Sequence, residues 1–589
     1  DGVPYEFYKN SSLNFQLALL DYFNFLYSTA TLPDSFSKSI IYPLYKKGII
    51  NDCRNYRGIS FLNCIAKLFT GMLLNRLDQW VQEKDVLNEF QAGFRKGYSA
   101  VDNIFNLLNI IKIVTAERKK KVYCFFVDFR SAFDAPSRQA VYYKLYALGV
   151  SNKFINILQA LFSNTESSVW INGGLTDSFE TKTGLRQGCL LSPLLFSLYL
   201  NDLHDFLCGG VRIGGINIRC LLYADDIVLI STDPHTLQYM INRLSEYCRR
   251  WNLSVNLDKS KIVIFRKGGK LARSETWKID DQNIEVVSQY KYLGVILTPQ
   301  LSLKKHFEEK LSSSKFAILS TYSNIIKNKE IPLSAKFHIF ESVVRAVIGY
   351  AAQVWGSAWY DQVEKIYKFF LKKLFMLPSN TPNYILYLET NSDPLFCSMF
   401  NLHYNYVQKV LLLPHSRLPR ILAQEVIKKK LFWHKDYLDL CNKHDLTQCN
   451  YITVNNKRVS NNELMQKIKA EFRGNLLRKA NSAKYHCIYK ELMLNLGEKS
   501  YINDKNSLNF INVIMKVRGA LFNLNFSVNR DENRHYCSLC NLGEIEDIIH
   551  FIGECPILQE YRLQFLGKRK LEKCEVILYL NGLDLGQVV

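Results

Sequence analysis

Residues Leu221 to Ser231 read LLYADDIVLIS, in which two adjacent aspartates, Asp225 and Asp226, lie between two apolar runs of β-forming residues. An ionised carboxylate in apolar surroundings is costly unless it is paired or bound to a metal. Two side by side also repel each other, so a cation belongs to the design. A third carboxylate, Asp128, ends another apolar run, Val122 to Val127. Two Asp-tipped strands at one edge of a sheet make a cluster of the kind that holds two Mg²⁺ ions for phosphoryl or nucleotidyl transfer. A lone YADD string is a weak signal; the second Asp-tipped strand strengthens it.

A second constellation lies far down the chain, Cys537-x2-Cys540-x9-His550-x4-Cys555. A close CxxC pair with a distant His and Cys can reach one tetrahedral Zn²⁺. His535 is a competing ligand, and chance spacing is the bland alternative.

The elements that must position these residues are legible in outline. Asn63 to Val81 carries Ile65, Leu68, Phe69, Met72, Leu77 and Trp80 at helical spacing behind an Asn63 N-cap. The helix SAVDNIFNLLNIIKIV opens with Ser99 and Asp102 in capping-box positions and runs into ERKKK before the Asp128 strand. Ser137 to Leu148, ended by Gly149, reads as the next helix. Asn172-Gly173 in SSVWINGGLTDSFETKT supplies the positive φ angles of a tight hairpin turn. Ser192-Pro193 reads as an N-cap followed by Pro at the first helical position, with the helix reaching Phe206. After the YADD hairpin come a helix near His235 to Asn252, a strand at KIVIF and a hairpin at YKYLGVIL. The expectation is a compact sheet with helices packed on one side.

Beyond about Thr298 the strand signals fade and the chain becomes helical, with Lys and aromatic residues interleaved. Lys365, Lys368 and Lys372 share helical spacing opposite an apolar face of Val363, Ile366, Phe370 and Leu374. Such a helix suits a phosphate backbone, or is simply solvated on one side.

The 589 residues allow roughly four domains at ~150 residues each, and 48% hydrophobic with 22% charged residues is the composition of an ordered globular chain. Lys and Arg outnumber Asp and Glu by 75 to 54, a formal charge of +21, which points to a polyanionic partner over a merely solubilised surface. Fifteen dispersed cysteines without a signal peptide favour a reducing compartment over a disulfide framework. No transmembrane span is expected, because the apolar stretch Leu13 to Leu32 is interrupted by Asn14, Gln16, Asp21 and Asn24. The first residue is Asp1 rather than Met, and a fragment or processed piece is expected.

Taken in order, the motifs resemble the reverse transcriptase of non-LTR (LINE-type) retrotransposons. They are DGVPYEFYK from Asp1, PLYKKG from Pro43, NYRGIS from Asn55, QAGFRKGYSAVDN from Gln91, FVDFRSAFD from Phe126 and GLRQGCLLSPLLFSLYLNDL from Gly184. YADDIVLIS from Tyr223, VNLDKSKIVIF around Leu257 and YKYLGVIL from Tyr290 complete the series. The resemblance implies an α+β right-hand polymerase: fingers and palm over residues 1–300, a helical thumb over 301–400, a helical linker region over 401–520 and a zinc-knuckle-like region over 521–589. YKYLGVIL is similar to the family's primer grip.

The same resemblance assigns roles. Asp128, Asp225 and Asp226 are the catalytic carboxylates that hold two Mg²⁺, with the main-chain carbonyl of Phe129 as a further ligand. Phe133 is the aromatic floor under the incoming sugar, where its ring excludes a ribose 2′-hydroxyl; the alternative is a plain core residue. Gln187 and Gly188 form the dNTP side of the segment before the Pro193 helix, glycine allowing close backbone approach. Lys46, with Lys47 as its rival, and Arg57 resemble the finger residues that bind the triphosphate. Arg95 is similarly a template or nucleotide contact. Asp134 resembles a family Asp that is not a primary metal ligand and is left out of the catalytic set. Cys537, Cys540, His550 and Cys555 are similar to the structural zinc cluster that follows the polymerase in such elements.

The implied activity is an RNA-directed DNA polymerase that extends a DNA 3′ end along the element's RNA in target-primed fashion, with RNA template, DNA primer and dNTPs as partners. The implied compartment is a nuclear and cytoplasmic ribonucleoprotein. The upstream endonuclease of the family is absent from this chain, and no RNase H pattern is visible. Competing readings are a catalytically decayed nucleic-acid-binding remnant, a group II intron-type maturase and an RNA-templated RNA polymerase. Phe133 and GLRQGCLLSPLLF argue against the RNA polymerase, and the terminal Cys/His cluster argues against the maturase. A nucleic-acid clamp centred on the zinc region is compatible with the leading reading.

Overall fold

The computed structural model describes residues 3–446, 460–483, 486, 488–492, 499–526 and 534–582. The chain divides into two compact units, one of residues 1–303 with 413–432 and one of 304–412 with 433–589. The four consecutive parts read from sequence thus meet a different partition, in which residues 413–432 belong with the first unit. Arg417 Nε and Leu418 N both donate to Glu89 Oε1, at 3.0 and 2.9 Å, and the helix Leu418–Lys428 packs against Ala100–Ala116.

The first unit is built on a four-stranded antiparallel sheet, ordered Lys261–Phe265, Val122–Val127, Asp226–Ser231, Cys220–Tyr223. Every residue of Val122–Val127 is buried, which accounts for its unbroken apolar run. Tyr123, Phe125 and Val127 join a core with Leu237 and Leu244 of the helix Pro234–Arg250. Phe126 turns to the opposite face and stacks on Tyr290 at 4.3 Å. Helix Ala100–Ala116 also packs on this sheet, its Asn103 Nδ2 donating to the Leu222 carbonyl at 2.9 Å. The sheet is therefore covered on both faces, where helices on one side alone were expected.

A second sheet carries Arg57, and Lys46 follows directly after one of its strands. Lys38–Tyr45 pairs antiparallel with Tyr56–Phe61 and parallel with Glu166–Ile171. The Asn172-Gly173 turn has the expected positive φ angles, 49° and 81°. The capping box of Ser99 and Asp102 and the Asn63 cap are both formed. The Ser192 expectation needs correcting: the helix Ser192–Tyr199 has Leu191 at its N-cap and stops before a separate turn, Leu203–Phe206. Asn201 sits in the break because its side chain is tied to Asn88 N at 2.7 Å and to the Val86 carbonyl at 2.8 Å.

The second unit is helical. Asp361–Leu374 buries Val363, Ile366, Phe370 and Leu374 as its spacing predicts and leaves Lys365 exposed, whereas Lys372 Nζ donates to the Ser379 carbonyl. No helix among the described residues is long and apolar enough to cross a membrane.

Candidate active site

The ladder between Val122–Val127 and Asp226–Ser231 sets Ile227 opposite Val127, so one step further toward the sheet edge Asp226 comes opposite Asp128. Asp225 lies beside them in the turn after Tyr223, where Ala224 takes the left-handed conformation at φ 57°. That turn is braced from behind by a segment the sequence reading did not use structurally. Gln91 Oε1 accepts from Ala224 N at 3.1 Å and from Gly93 N at 2.8 Å. A Cβ at Gly93 would stand 2.1 Å from Ala224 N, so only glycine permits the approach.

The charge in this edge is under-compensated. Burial, followed by repulsion from Asp225 and Asp128, pushes the Asp226 pKa up to about 6, and burial with Asp128 raises that of Asp225. Asp226 is nevertheless exposed at its side chain, so solvent screens part of this effect. The opposing cations are Lys259, 3.4 Å from Asp128 Oδ2, and Arg57, whose charge reaches Asp225. Asn256 Nδ2 donates to Asp128 Oδ2 at 3.3 Å and Ser260 Oγ accepts from Asp128 N at 3.0 Å. Lys259, Asn256 and Ser260 were overlooked although they stand within VNLDKSKIVIF.

Three carboxylates, two of them with raised proton affinity, and few cations form a hard-oxygen donor set that fits divalent metal ions. The main-chain carbonyl of Phe129 fits the same set. Phe129 bridges Val255, but the hydrogen bonds there run from Arg130 N to the Ser254 carbonyl and from Asn256 N to the Asp128 carbonyl, leaving the Phe129 carbonyl without a main-chain donor among the described residues.

Around the edge, Phe133 is half-buried, stacked on Phe196 at 4.8 Å and edge-on to Phe94 at 6.3 Å. Gln187 and Gly188 meet the strand that carries Arg57. The Gln187 carbonyl accepts from Ser60 N at 2.7 Å, and a Cβ at Gly188 (φ 125°) would stand 2.2 Å from the Ser60 carbonyl oxygen. Gln187 Nε2 also donates to both Asp134 oxygens at 3.3 Å. The exposed Lys46 acts on Asp134 too, lowering a carboxyl pKa that burial raises. Two residues read as nucleotide contacts thus converge on the one acid left out of the catalytic set.

Arg95 is placed differently from the rest. Its guanidinium donates to the Asn88 carbonyl at 3.0 Å and to Asp85 at 3.5 Å, and it lies 4.2 Å from the centroid of the Tyr98 ring. Arg417 covers Tyr98 at 3.6 Å, and the Tyr98 hydroxyl donates to Glu89. The fork expected to meet template or nucleotide is engaged in holding this loop.

In the second unit the ligand atoms of Cys537, Cys540, His550 and Cys555 all lie within 4.8 Å of one another, with Cys540 Sγ 3.5 Å from His550 Nε2. His535, the competing ligand, is outside that group and packs edge-on to Phe526. Three sulfurs and an imidazole suit one tetrahedral Zn²⁺.

The family profile for reverse transcriptase (RNA-dependent DNA polymerase) matches residues 44–297, which include all three carboxylates. A probable RNA-directed DNA polymerase from transposon X-element of Drosophila melanogaster is 26% identical over 353 residues, 58% of this chain and 38% of that protein. The RNA-directed DNA polymerase from mobile element jockey of Drosophila funebris is 25% identical over 322 residues, 54% of this chain and 34% of that protein. The match thus spans little more than a third of these relatives. The solved structure of apo telomerase from Candida tropicalis aligns with a TM-score of 0.35 at 10% identity, over 72% of this chain and 74% of that one. Residues 44–297, with Asp128, Asp225 and Asp226 at one sheet edge, match the reverse transcriptase family, in a chain similar to the RNA-directed DNA polymerases of transposable elements.

Proposed function

We propose that the chain copies RNA into DNA by extending a DNA 3′ end, in the target-primed manner the resemblance implies, with the element's own RNA as template. The observation that carries this reading is the register that brings Asp226 opposite Asp128, with Asp225 adjacent. Asp128, Asp225, Asp226 and the Phe129 carbonyl would hold two Mg²⁺, which when bound supply acidification of the primer hydroxyl and charge neutralisation on the triphosphate. The chain's own residues position the reactants, which is most of what such a transfer asks of a protein. Arg57, on the strand Tyr56–Phe61, and Lys46, just after the paired strand Lys38–Tyr45, offer donors to phosphate oxygens. Phe133, held by Phe196 and Phe94, presents a ring beneath the sugar. Gln91 and Gly93 fix the turn that carries Asp225. The Cys537 cluster holds one structural zinc.

Primer extension on an RNA template with Mg²⁺, supplied with either dNTPs or rNTPs, tests the reading. DNA synthesis is expected from dNTPs and little product from rNTPs; no extension with either would leave only a nucleic-acid-binding remnant. Phe133→Ala should raise ribonucleotide incorporation by about 10-fold or more, because the excluding ring is gone. Unchanged sugar discrimination would return Phe133 to the core. Metal analysis should find one zinc per chain and its loss in Cys537→Ser, and a zinc-free parent protein would remove the zinc assignment.

A further inference from the structure

The Asp-bearing sheet has a second end. There Val122–Val127 begins and Lys261–Phe265 finishes, with Phe265 opposite Val122. A strand of this length spans roughly 20 Å, so whatever gathers at that end is beyond the reach of a nucleotide held at Asp128. What gathers is positive charge, from three segments far apart in sequence.

A cavity of about 240 Å³ is lined there by Lys112 near the end of helix Ala100–Ala116, by Arg266 and Lys267 just after the strand, and by Leu431 and Phe432. The Lys112 ammonium lies 5.2 Å from the Phe432 ring centroid. Lys267 Nζ donates to the Ala116 carbonyl at 3.1 Å, and Arg266 donates to the carbonyls of Gly269 and Ile264. The partners of Arg266 and Lys267 are neutral, so their charge is oriented but not cancelled. Exposed basic runs flank the cavity: Arg118, Lys119 and Lys120 follow the helix, and Lys428, Lys429 and Lys430 precede Leu431. The buried acid nearby, Glu275, already accepts from Lys121 at 2.6 Å and from Tyr123 at 2.7 Å.

Cations at helix C-termini answer the helix dipole, and Lys267 on the Ala116 carbonyl does so. One or two suffice for that, and the surplus repels itself unless a polyanion covers it. We propose that this end of the sheet is a second nucleic-acid site, which holds the phosphate backbone of a strand beyond the nucleotides being copied. Nucleic acid is the polyanion because the same unit carries the reverse transcriptase domain, so the assignment rests on that reading. The shared chemistry is a row of phosphates, on either RNA or duplex DNA.

The test uses the full chain with two triple variants, Arg118→Gln with Lys119→Gln and Lys120→Gln, and Lys428→Gln with Lys429→Gln and Lys430→Gln. A control removes equal charge elsewhere in the unit, by Lys9→Gln, Lys84→Gln and Lys153→Gln. Binding of a long single-stranded RNA and of a long DNA duplex is measured over a salt series, alongside extension of a short template–primer that fits only at the carboxylates. Each patch variant should bind about tenfold more weakly at low salt, with the log–log salt slope reduced by about 2, while short-primer extension and the control variant stay at parent values. Loss confined to the RNA arm assigns the site to RNA, and loss confined to the DNA arm assigns it to the duplex. Unchanged affinity and slope in both arms, or an equal loss in the control, overturns the proposal. A parent chain that binds but extends no primer defeats the polymerase reading and leaves the comparison of patch and control to decide the site.

Discussion

Glu389 in the helical unit and the three carboxylates at the sheet edge are answered in opposite ways. In the helical unit Glu389 is fully buried and completely answered: Arg518 donates to both of its oxygens, at 2.8 and 3.2 Å, and the hydroxyls of Tyr489 and Tyr501 complete its shell. At the edge of the Asp-bearing sheet three carboxylates are answered only by Lys259, 3.4 Å from Asp128, and by the charge of Arg57 on Asp225. A closed pair holds a fold in one arrangement. An open cluster costs the fold stability and is useful only to something that arrives from outside.

The sharpest way to break this contrast is to neutralise one member of each group. Asp225→Asn should lower primer extension by roughly 10²–10³-fold or more, because an electrostatic element of the transfer is removed. The same change should stabilise the metal-free protein slightly, by about 1 kcal/mol after solvent screening, because it relieves repulsion with Asp128 and Asp226. Extension near the parent rate would show that Asp225 is no part of the chemistry. Glu389→Gln should act in the reverse sense. It leaves the Arg518 guanidinium buried without its counter-charge, and the helical unit should lose about 3–5 kcal/mol, read by hydrogen exchange of its core amides. Exchange unchanged by Glu389→Gln would mean that the pair is not what holds these helices.

The open group was legible in sequence and the closed one was not, for a physical reason. Asp128 and Asp225–Asp226 stand at the ends of runs whose apolar character follows from burial of the strands themselves, so local pattern exposes them. Ser99, Asn63 and Asn172-Gly173 were readable on the same ground, since each satisfies a backbone need within a few residues. Glu389 and Arg518 are far apart in the chain and neither neighbourhood carries a pattern; only the packed helices bring them together. The partners of Arg95 were only partly legible: Asp85 and Asn88 are near in sequence, but its ring partner Tyr98 is shared with Arg417, contributed by a segment that returns to the first unit from a distance. Asp134 was set aside by family analogy, whereas Gln187 and the charge of Lys46 both bear on it.

Acid should separate the two regions further. His403, on the helix Leu395–Leu411, is fully buried, and its Nδ1 donates to the Gln353 carbonyl at 2.8 Å. Burial pushes its pKa down to about 4, against about 6.5 in an unfolded chain. Between those values the unfolded state holds the extra proton, so this group's contribution to stability is full above about 6.5 and falls as pH drops toward 4, by about 3 kcal/mol in total. Asp226 has the opposite sign: its pKa is raised from 3.8 to about 6, the folded state takes the proton first, and the sheet edge gains stability as pH falls through that window. Hydrogen exchange measured from pH 7 to about 4 should therefore show the helical unit loosening through His403 while the carboxylate edge does not. His403→Gln keeps a donor for Gln353 and removes the titration, so it should flatten the pH dependence of the helical unit alone. If the variant and the parent lose protection in parallel, the acid sensitivity of that unit belongs to another group, and the neutrality of its interior is not what distinguishes it from the open edge.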